Sequence, residues 1–147
     1  MRLALFQPDI PQNLGAAIRL AACLDAGLDV IRPAAFPLGA RELKRAAMDY
    51  RGLVEPALHD SWDAFLAAQG PGRLVLLTTA GATDLHDFAF RADDVLLLGR
   101  ESAGVPPDVH DRADARLRIA MAPGARSLNV VVAAAMALGE ARRQLRG

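Results

Sequence analysis

A short apolar strand that ends in a glycine loop constrains the fold of this chain more than any other feature. Residues 95–98 read Val-Leu-Leu-Leu, and Gly99, Arg100 and Glu101 follow at once. A short apolar run bounded by a glycine turn is typical of a strand that is buried on both faces, as in a parallel sheet covered by helices. Open α/β sheets bind their ligands at such strand ends. The loop therefore predicts a ligand-binding α/β protein.

This loop matches neither of the two common nucleotide-binding loops. It lacks the Lys-Ser/Thr pair of a phosphate-binding P-loop and the three-glycine spacing of a dinucleotide fold. Residues 7–11, Gln-Pro-Asp-Ile-Pro, follow the first predicted strand and cannot form a phosphate loop either. An unknotted flavodoxin-like domain would carry a phosphate loop after its first strand. That alternative is therefore weaker, although it stays open at this point.

Strands and helices alternate along the whole chain. We predict strands at residues 3–6, 28–31, 53–54, 74–79, 95–98 and 117–121, and helices at residues 14–26, 38–50, 62–69 and 127–145. We expect Asn13, Ser61 and Ser127 to cap three of these helices and Gly27 to end the first one. The alternation predicts a three-layer α/β/α domain over residues 1–147, with a parallel sheet between two helical layers.

Composition favours a cytoplasmic protein without membrane association. Apolar residues make up 52% of the chain, but no run of eighteen apolar residues exists to span a membrane. The first predicted strand lies at the start of the sequence, so we expect no signal peptide. Cys23 is the single cysteine, and we expect it to be a small buried helix residue rather than a nucleophile. The histidines show no metal-ligand spacing, so no metal is expected.

Charge is distributed unevenly on a chain whose net charge is zero. Residues 1–51 carry seven basic and five acidic residues, residues 52–115 carry four and eleven, and residues 116–147 carry six and one. If the two ends meet in the fold, they form a basic surface on a neutral protein. Ordinary surface charge on terminal helices is the simpler interpretation.

One predicted helix carries a basic face. Arg41, Lys44 and Arg45 lie at helical spacing, and Tyr50 follows them. Such a face can hold a nucleic-acid backbone, and a nearby aromatic ring can stack on a base. A solvated helix face is the more common explanation.

Three predicted strand ends resemble one another. Residues 77–81, 98–101 and 119–124 each leave a strand through glycine or proline. In a parallel sheet they face the same edge, where their backbone groups could cradle an adenine-containing ligand with few charged side chains. Simple turn chemistry is the alternative for any one of them.

The last and first predicted helices carry further candidates. The last helix opens with Ser127-Leu128-Asn129 and is apolar on all sides for two to three turns, so we expect it to be buried on all sides. On the first helix, Gly15 and Arg19 share a face. An arginine over a shallow surface suits phosphate or sugar binding, and a surface ion pair is the alternative.

Taken together, these segments resemble the SPOUT methyltransferases, which are knotted, S-adenosylmethionine-dependent RNA methylases. The resemblance is closest to the TrmL type, which methylates the ribose 2′-oxygen of the tRNA wobble nucleotide, number 34, a cytidine or modified uridine. The matching motifs lie at residues 11–15 with Arg19, at residues 43–50, at residues 99–106 and at residues 127–129. The similarity runs from Leu3 to about Gln144.

The resemblance implies a trefoil knot in the C-terminal third, a homodimer, S-adenosylmethionine as cofactor and a tRNA anticodon stem-loop as substrate. The implied cofactor contacts are Leu77, Thr78, Gly99, Glu101, Ile119, Met121, Ser127 and Leu128. The implied catalytic residues are Arg19, Asn13, Ser127 and Asn129. The implied RNA contacts are Arg41, Lys44, Arg45, Tyr50 and Arg126. We interpret Arg19 as the group that orients the 2′-hydroxyl and stabilises its developing negative charge, because arginine is hardly ever deprotonated.

Three positions depart from the family pattern. Ala16 stands where the family usually has asparagine, Arg100 where it usually has proline, and Val131-Val132 where a Ser-Asn pair is common. The two valines motivate one alternative, a non-catalytic module that binds S-adenosylmethionine or RNA. A 2′-O-methyltransferase of another RNA, such as rRNA, is a second alternative, although those enzymes commonly carry an added RNA-binding domain.

Overall fold

Within residues 1–50 and 52–146, which the computed structural model describes, the protein forms a seven-stranded parallel sheet with helices on both faces. The strands are β1 (Arg2–Phe6), β2 (Gly27–Ile31), β3 (Ala57–His59), β4 (Leu74–Leu77), β5 (Thr83–Asp84), β6 (Val95–Leu98) and β7 (Ala115–Arg118). The helices are α1 (Pro11–Cys23), α2 (Ala40–Ala47), α3 (Trp62–Ala68), α4 (Pro107–Arg112) and α5 (Val130–Leu145), with short 3-10 turns at Met48–Tyr50 and Leu85–Asp87.

The strand order across the sheet is β3-β2-β1-β6-β4-β7-β5, and each neighbouring pair is parallel. The central pair joins the two halves of the chain, since β1 pairs with β6 from Arg2 opposite Val95 to Leu5 opposite Leu98. The predicted parallel α/β fold is therefore confirmed. The trefoil knot implied by the resemblance stays a prediction.

Each face of the sheet has its own hydrophobic core. On one face, buried strand residues such as Leu3, Leu28 and Leu96 belong to the cluster that includes the buried residues of α1 and α5. On the other face, Phe6 and Leu97 belong to the cluster that holds the buried residues of α3 and α4. Successive side chains of a strand point to opposite faces, so a continuous apolar run such as β6 supplies both cores.

Alanine lets α1 and α5 lie close together over the first face. Most of the inward positions of the two helices are fully buried alanines, and these are Ala17, Ala21, Ala134, Ala137 and Ala141. A side chain of one carbon keeps the helix backbones near each other and near the sheet. This packing follows from the predominance of small aliphatic residues in the sequence.

The predicted strand at residues 53–54 is wrong. Leu53 is 69% exposed, and its amide donates a hydrogen bond to the carbonyl of Tyr50 in a turn. The strand begins instead at Ala57, where the chain pairs with Asp29 of β2. Two neighbouring apolar residues do not make a strand unless a partner strand is within reach.

Two predicted helix caps are wrong and one is confirmed. Ser61 accepts a hydrogen bond from the amide of Ala64 and so caps α3. α1 starts earlier than predicted, because Pro11 fits the first turn of a helix, and Asn13 lies inside the helix without capping it. α5 is capped by the side chain of Asn129 rather than Ser127.

Other boundaries differ by a few residues. α1 ends at Cys23, and Gly27 opens β2 instead of ending the helix. The second predicted helix divides into α2 and a 3-10 turn, because Met48 takes a positive φ of 45°. β4 ends at Leu77, and β7 spans Ala115–Arg118. The sequence reading missed β5 and α4, which have two and six residues and are too short to show a periodicity.

Two expectations about burial are also wrong. Cys23 is exposed rather than buried. α5 is not buried on all sides, because Val132 is 49% exposed and Met136 is 39% exposed. Since Val132 and Met136 are four residues apart, they lie on one outward stripe of the helix. An apolar residue pattern predicts that a helix face is buried, but it does not show which part of the protein covers that face.

Two buried carboxylates join strands and loops away from the predicted site. Asp29 is 5% exposed and lies 2.6 Å from Arg2 Nε and 2.7 Å from His59 Nε2. Asp94 is fully buried and accepts two hydrogen bonds of 2.8 Å from Arg73. These charged pairs neutralise buried carboxylates and are structural.

No helix in the described part of the chain is long and apolar enough to cross a membrane.

The turn after β4 lies directly against β7 at Gly81. A Cβ atom built on Gly81 would lie 2.5 Å from the carbonyl carbon of Leu117 and 2.6 Å from the amide nitrogen of Arg118. Backbone atoms cannot move aside as the end of a flexible side chain can. Glycine is therefore required here by close approach of two backbone segments.

We expect Gly81→Ala to lower the free energy of unfolding by about 1–3 kcal/mol, because the added methyl group forces two strands apart. Gly70→Ala is the matched control, since a Cβ at Gly70 meets nothing within 4 Å. Urea denaturation followed by circular dichroism measures both variants. Equal stability of the two variants would contradict the close approach at Gly81.

Candidate active site

The carboxyl ends of three neighbouring strands surround the main cavity of the protein. β6, β4 and β7 lie side by side and parallel, so the loops that follow them meet at one edge of the sheet. The start of α5 closes the same space. The cavity has a volume of about 400 Å³, which is within the range of small-molecule sites.

The structure brings together every residue that the resemblance implied as a cofactor contact. The cavity is lined by Leu77, Thr78, Gly99, Glu101, Ile119, Met121, Ser127 and Leu128. Asn13 and Asn129, two of the implied catalytic residues, also line it. The geometry of a common edge is therefore as expected, whereas the role of each residue stays a prediction.

The sequence reading missed several residues of the cavity wall. Ile10, Val130 and Ala133 all line it. Val130 and Ala133 are three residues apart at the start of α5, so the helix turns one face toward the cavity. The sequence alone does not single out this face, because the other sides of the same helix are apolar as well.

A chain of side-chain hydrogen bonds joins the three motifs at this edge. Glu101 Oε1 accepts a hydrogen bond of 3.1 Å from Asn13 Nδ2. Asn13 Oδ1 accepts one of 3.0 Å from Asn129 Nδ2. Asn129 Oδ1 then accepts the amides of Val131 and Val132 at the start of α5.

The order of donors and acceptors in this chain is fixed from both ends. The amides of α5 can only donate, so the oxygen of Asn129 must face them and its nitrogen must face Asn13. At the other end, the nitrogen of Asn13 donates to an oxygen of the Glu101 carboxyl group, so the oxygen of Asn13 faces Asn129. Because Asn13 is 8% exposed, a reversed amide would leave buried groups unpaired. Asn13 and Asn129 therefore link the loop after β6, helix α1 and the start of helix α5.

Asp9 forms a second link to the loop after β6. The amide of Asp9 donates a 3.0 Å hydrogen bond to Glu101 Oε2, and the hydroxyl of Ser102 donates to the Asp9 carboxylate. Glu101, fully engaged here, acts as a loop-holding group.

The loop after β6 folds back on itself between Arg100 and Gly104. The two residues exchange backbone hydrogen bonds of 2.9 and 2.8 Å. A Cβ atom on Gly99 would lie 2.7 Å from the Cα atom of Gly104, and Gly104 itself has a φ of 63°. Both positions favour glycine, so this glycine pair shapes the wall of the cavity.

Arg19 does not line the cavity of its own chain. It is exposed on α1, where its guanidinium carbon lies 5.4 Å from the centre of the Tyr50 ring. Its Nη2 atom also lies 3.9 Å from the sulfur of Met48. α1 packs against α2, and the structure therefore places Arg19 with the segment that carries the predicted RNA contacts.

The predicted RNA contacts are on the surface. Arg41, Lys44 and Arg45 are exposed on α2, and Tyr50 is partly buried beneath Arg19. Arg126 is exposed in the segment before α5. In the described residues, no group of three or more acidic, histidine or cysteine side chains could hold a metal ion.

The fold and the site define an α/β protein whose ligand pocket is formed by loops at the carboxyl edge of a parallel sheet. The chain belongs to the SpoU rRNA Methylase family, whose model matches residues 1–139. The predicted resemblance is confirmed.

Relatives of nearly equal length share half of the sequence or more. A protein of Beijerinckia indica named tRNA (cytidine(34)-2′-O)-methyltransferase is 55% identical over 145 residues, which cover 97% of this chain and 91% of that protein. A protein of the same name from Ancylobacter novellus is 52% identical over 150 residues, which cover 100% of this chain and 94% of that protein.

Solved structures agree with the fold. A protein whose structure was determined to study 2′-OH methylation of C/U34 on tRNA superposes with a TM-score of 0.92, is 44% identical and is matched over 99% of this chain and 96% of that one. The SpoU methyltransferase AviRb from Streptomyces viridochromogenes, bound to AdoMet, gives a TM-score of 0.84 at 31% identity, with coverage of 100% and 61%.

We expect Asn13→Ala to lower the free energy of unfolding by about 1–3 kcal/mol, because it leaves two partly buried partners without a hydrogen bond. Gln12→Ala is the matched control on the same turn, where the side chain is exposed. Urea denaturation measures both. The linking role of Asn13 is refuted if its variant is as stable as the control.

Proposed function

We propose that this protein is an S-adenosylmethionine-dependent methyltransferase that modifies the ribose 2′-oxygen of nucleotide 34 in tRNA. One observation carries the proposal: three strand-end loops and the start of α5 enclose a 400 Å³ cavity in a SpoU-family chain. Relatives that match it over more than nine tenths of their length are named for this reaction.

The cavity has the chemistry that this cofactor requires. Apolar residues such as Leu77, Ile119 and Leu128 line the cavity together with the loop glycines Gly99 and Gly104. A nucleoside needs flat apolar contacts and a few hydrogen bonds from such groups, and AdoMet is bound in the AviRb structure. When bound, the cofactor supplies an electrophilic methyl group on a sulfonium. We propose that Leu77, Gly99, Ile119 and Leu128 are among the residues that hold it.

Arg19 is the proposed partner of the ribose hydroxyl. Its guanidinium stays charged and can donate hydrogen bonds to the 2′-oxygen as negative charge develops on it. The oxygen forms a bond to the methyl carbon, the carbon–sulfur bond breaks, and the hydroxyl proton leaves to an RNA phosphate. In-line alignment of the reacting atoms supplies much of the rate in such a displacement. Ser127 and Asn129 line the cavity where they could help this alignment.

The proposed assembly is a homodimer. α5 exposes an uncharged stripe that contains Val132 and Met136, and Leu128 just before it is 39% exposed. Apolar side chains that recur along one helix face favour burial against a protein surface. A second copy would cover this stripe. It would also bring a second α1 near the cavity, which would account for the position of Arg19 outside its own chain's site.

The proposed RNA surface begins at α2. Arg41, Lys44 and Arg45 are exposed, and Tyr50 lies next to Arg19. Guanidinium and ammonium groups there would neutralise phosphates of the anticodon stem-loop and set its register on the protein. Arg126 would add a contact from the segment before α5. A tRNA substrate also supports the predicted cytoplasmic location, which fluorescence microscopy of a tagged chain would test.

An rRNA substrate is the weaker proposal. An rRNA methyltransferase from Sinorhizobium meliloti is 31% identical, but this chain covers only 56% of that protein. The matches of nearly equal length instead carry names that specify tRNA position 34.

We expect the purified protein to form a 2′-O-methylated nucleotide at position 34 when it is incubated with S-adenosylmethionine and total tRNA. Mass spectrometry of nucleosides and of nuclease fragments locates the modification. Arg19→Ala should abolish transfer without weakening S-adenosylhomocysteine binding, whereas Lys44→Gln should mainly raise the KM for tRNA. Methylation of rRNA alone, or of no RNA, would refute the proposed function.

We expect Val132→Glu to shift the protein from dimer to monomer, because it places a charge in the middle of the uncovered stripe. Analytical ultracentrifugation at several concentrations measures the mass. Ala67→Glu is the control, since Ala67 is exposed on α3 at the opposite face of the sheet. A wild-type protein of monomer mass at every concentration would contradict the proposed assembly.

A further inference from the structure

Arg100 is the one charged group of the cavity wall that the proposed reaction leaves unexplained. Among the residues that line the cavity, Arg100 is the only cation and Glu101 is the only acid. Glu101 already accepts hydrogen bonds from Asp9 and Asn13. The wall therefore offers an incoming ligand one positive charge that the adjacent carboxylate does not pair with.

Arg100 also differs from the five arginines in the described part of the chain that form an ion pair with a carboxylate. Arg2, Arg32, Arg73, Arg112 and Arg143 each lie within 4.0 Å of a carboxylate oxygen. No described carboxylate lies that close to Arg100, and its Nε atom is buried without a hydrogen-bond partner. A buried donor without a partner is costly, and an anion that reached it would remove that cost.

The position of Arg100 is fixed before any ligand arrives. Its backbone is held from both sides by the hydrogen bonds to Gly104. Its guanidinium carbon lies 5.6 Å from the centre of the ring of Phe6, which is 3% exposed and packs edge-on against Trp62. A cation over an aromatic face is stabilised without losing its charge. Little side-chain freedom is then left to lose when the guanidinium binds an anion.

We infer that Arg100 binds the carboxylate at the amino-acid end of the cofactor. This inference rests on the proposed function, because that function places a ligand with one carboxylate in this cavity. A guanidinium matches a carboxylate with two parallel hydrogen bonds. Arg100 thus fixes the end of the cofactor that the apolar contacts cannot fix.

The test compares two ligands that differ at the inferred contact. S-adenosylhomocysteine carries the amino-acid end, and 5′-methylthioadenosine has the same adenosine and thioether without it. Isothermal titration calorimetry measures the Kd of each for the wild type, Arg100→Gln and Arg100→Lys. Arg112→Gln is the control, because Arg112 lies on α4 outside the cavity lining. Thermal unfolding by circular dichroism confirms that each variant is folded.

We expect Arg100→Gln to weaken S-adenosylhomocysteine binding about tenfold to a hundredfold, the usual effect of a charged hydrogen bond. Binding of 5′-methylthioadenosine should not change, and Arg100→Lys should lie between wild type and Arg100→Gln. Equal losses for both ligands would show that Arg100 only supports the loop, and would overturn the inference.

Three further outcomes separate this inference from the proposed function. If the variant binds both ligands like the wild type but has a raised KM for tRNA, the anion is an RNA phosphate and the cofactor contact is overturned. If the wild type methylates tRNA yet binds both ligands equally, the inference fails and the function stands. A wild type that binds neither ligand and methylates no RNA overturns both.

Discussion

The chain of hydrogen bonds from Glu101 through Asn13 to Asn129 is the interaction on which the site depends. Its three side chains come from the loop after β6, from α1 and from the start of α5. These segments are far apart in sequence. Each amide has one possible orientation, so the chain specifies a single arrangement. The cap of α5 is part of it, since the oxygen of Asn129 also accepts that helix's first amides.

Much of the fold follows from the sequence because its central strands are encoded locally. The apolar run Val95–Leu98 between turn residues is enough to place β6, and the glycine after it is enough to place a ligand loop. Exposure is not encoded locally. Leu53 was predicted to lie in a strand and is in a turn, while α5 was predicted to be buried on all sides and exposes Val132. Both errors come from judging apolar residues without their neighbours in space.

The residues of the candidate site were likewise predictable only in part. Loop residues such as Leu77 and Ile119 could be placed at one edge, because parallel strands carry their carboxyl ends together. The position of Arg19 outside the cavity and next to Tyr50 could not be predicted, since it depends on which helix packs beside α1. The sequence also suggested that Ser127 caps the last helix, and only the contact with Asn13 explains why Asn129 takes that place.

The pairing of β1 with β6 determines when the central part of the sheet can form. Arg2 lies opposite Val95, so this edge of β1 stays open until β6, more than ninety residues further along the chain, is available. Contacts between residues so distant in sequence form slowly, because the loop between them must close first. The ligand pocket needs α5 as well, and α5 ends at Leu145. A chain that lacks β6 therefore has an exposed edge on β1, and a chain that lacks α5 has an incomplete pocket.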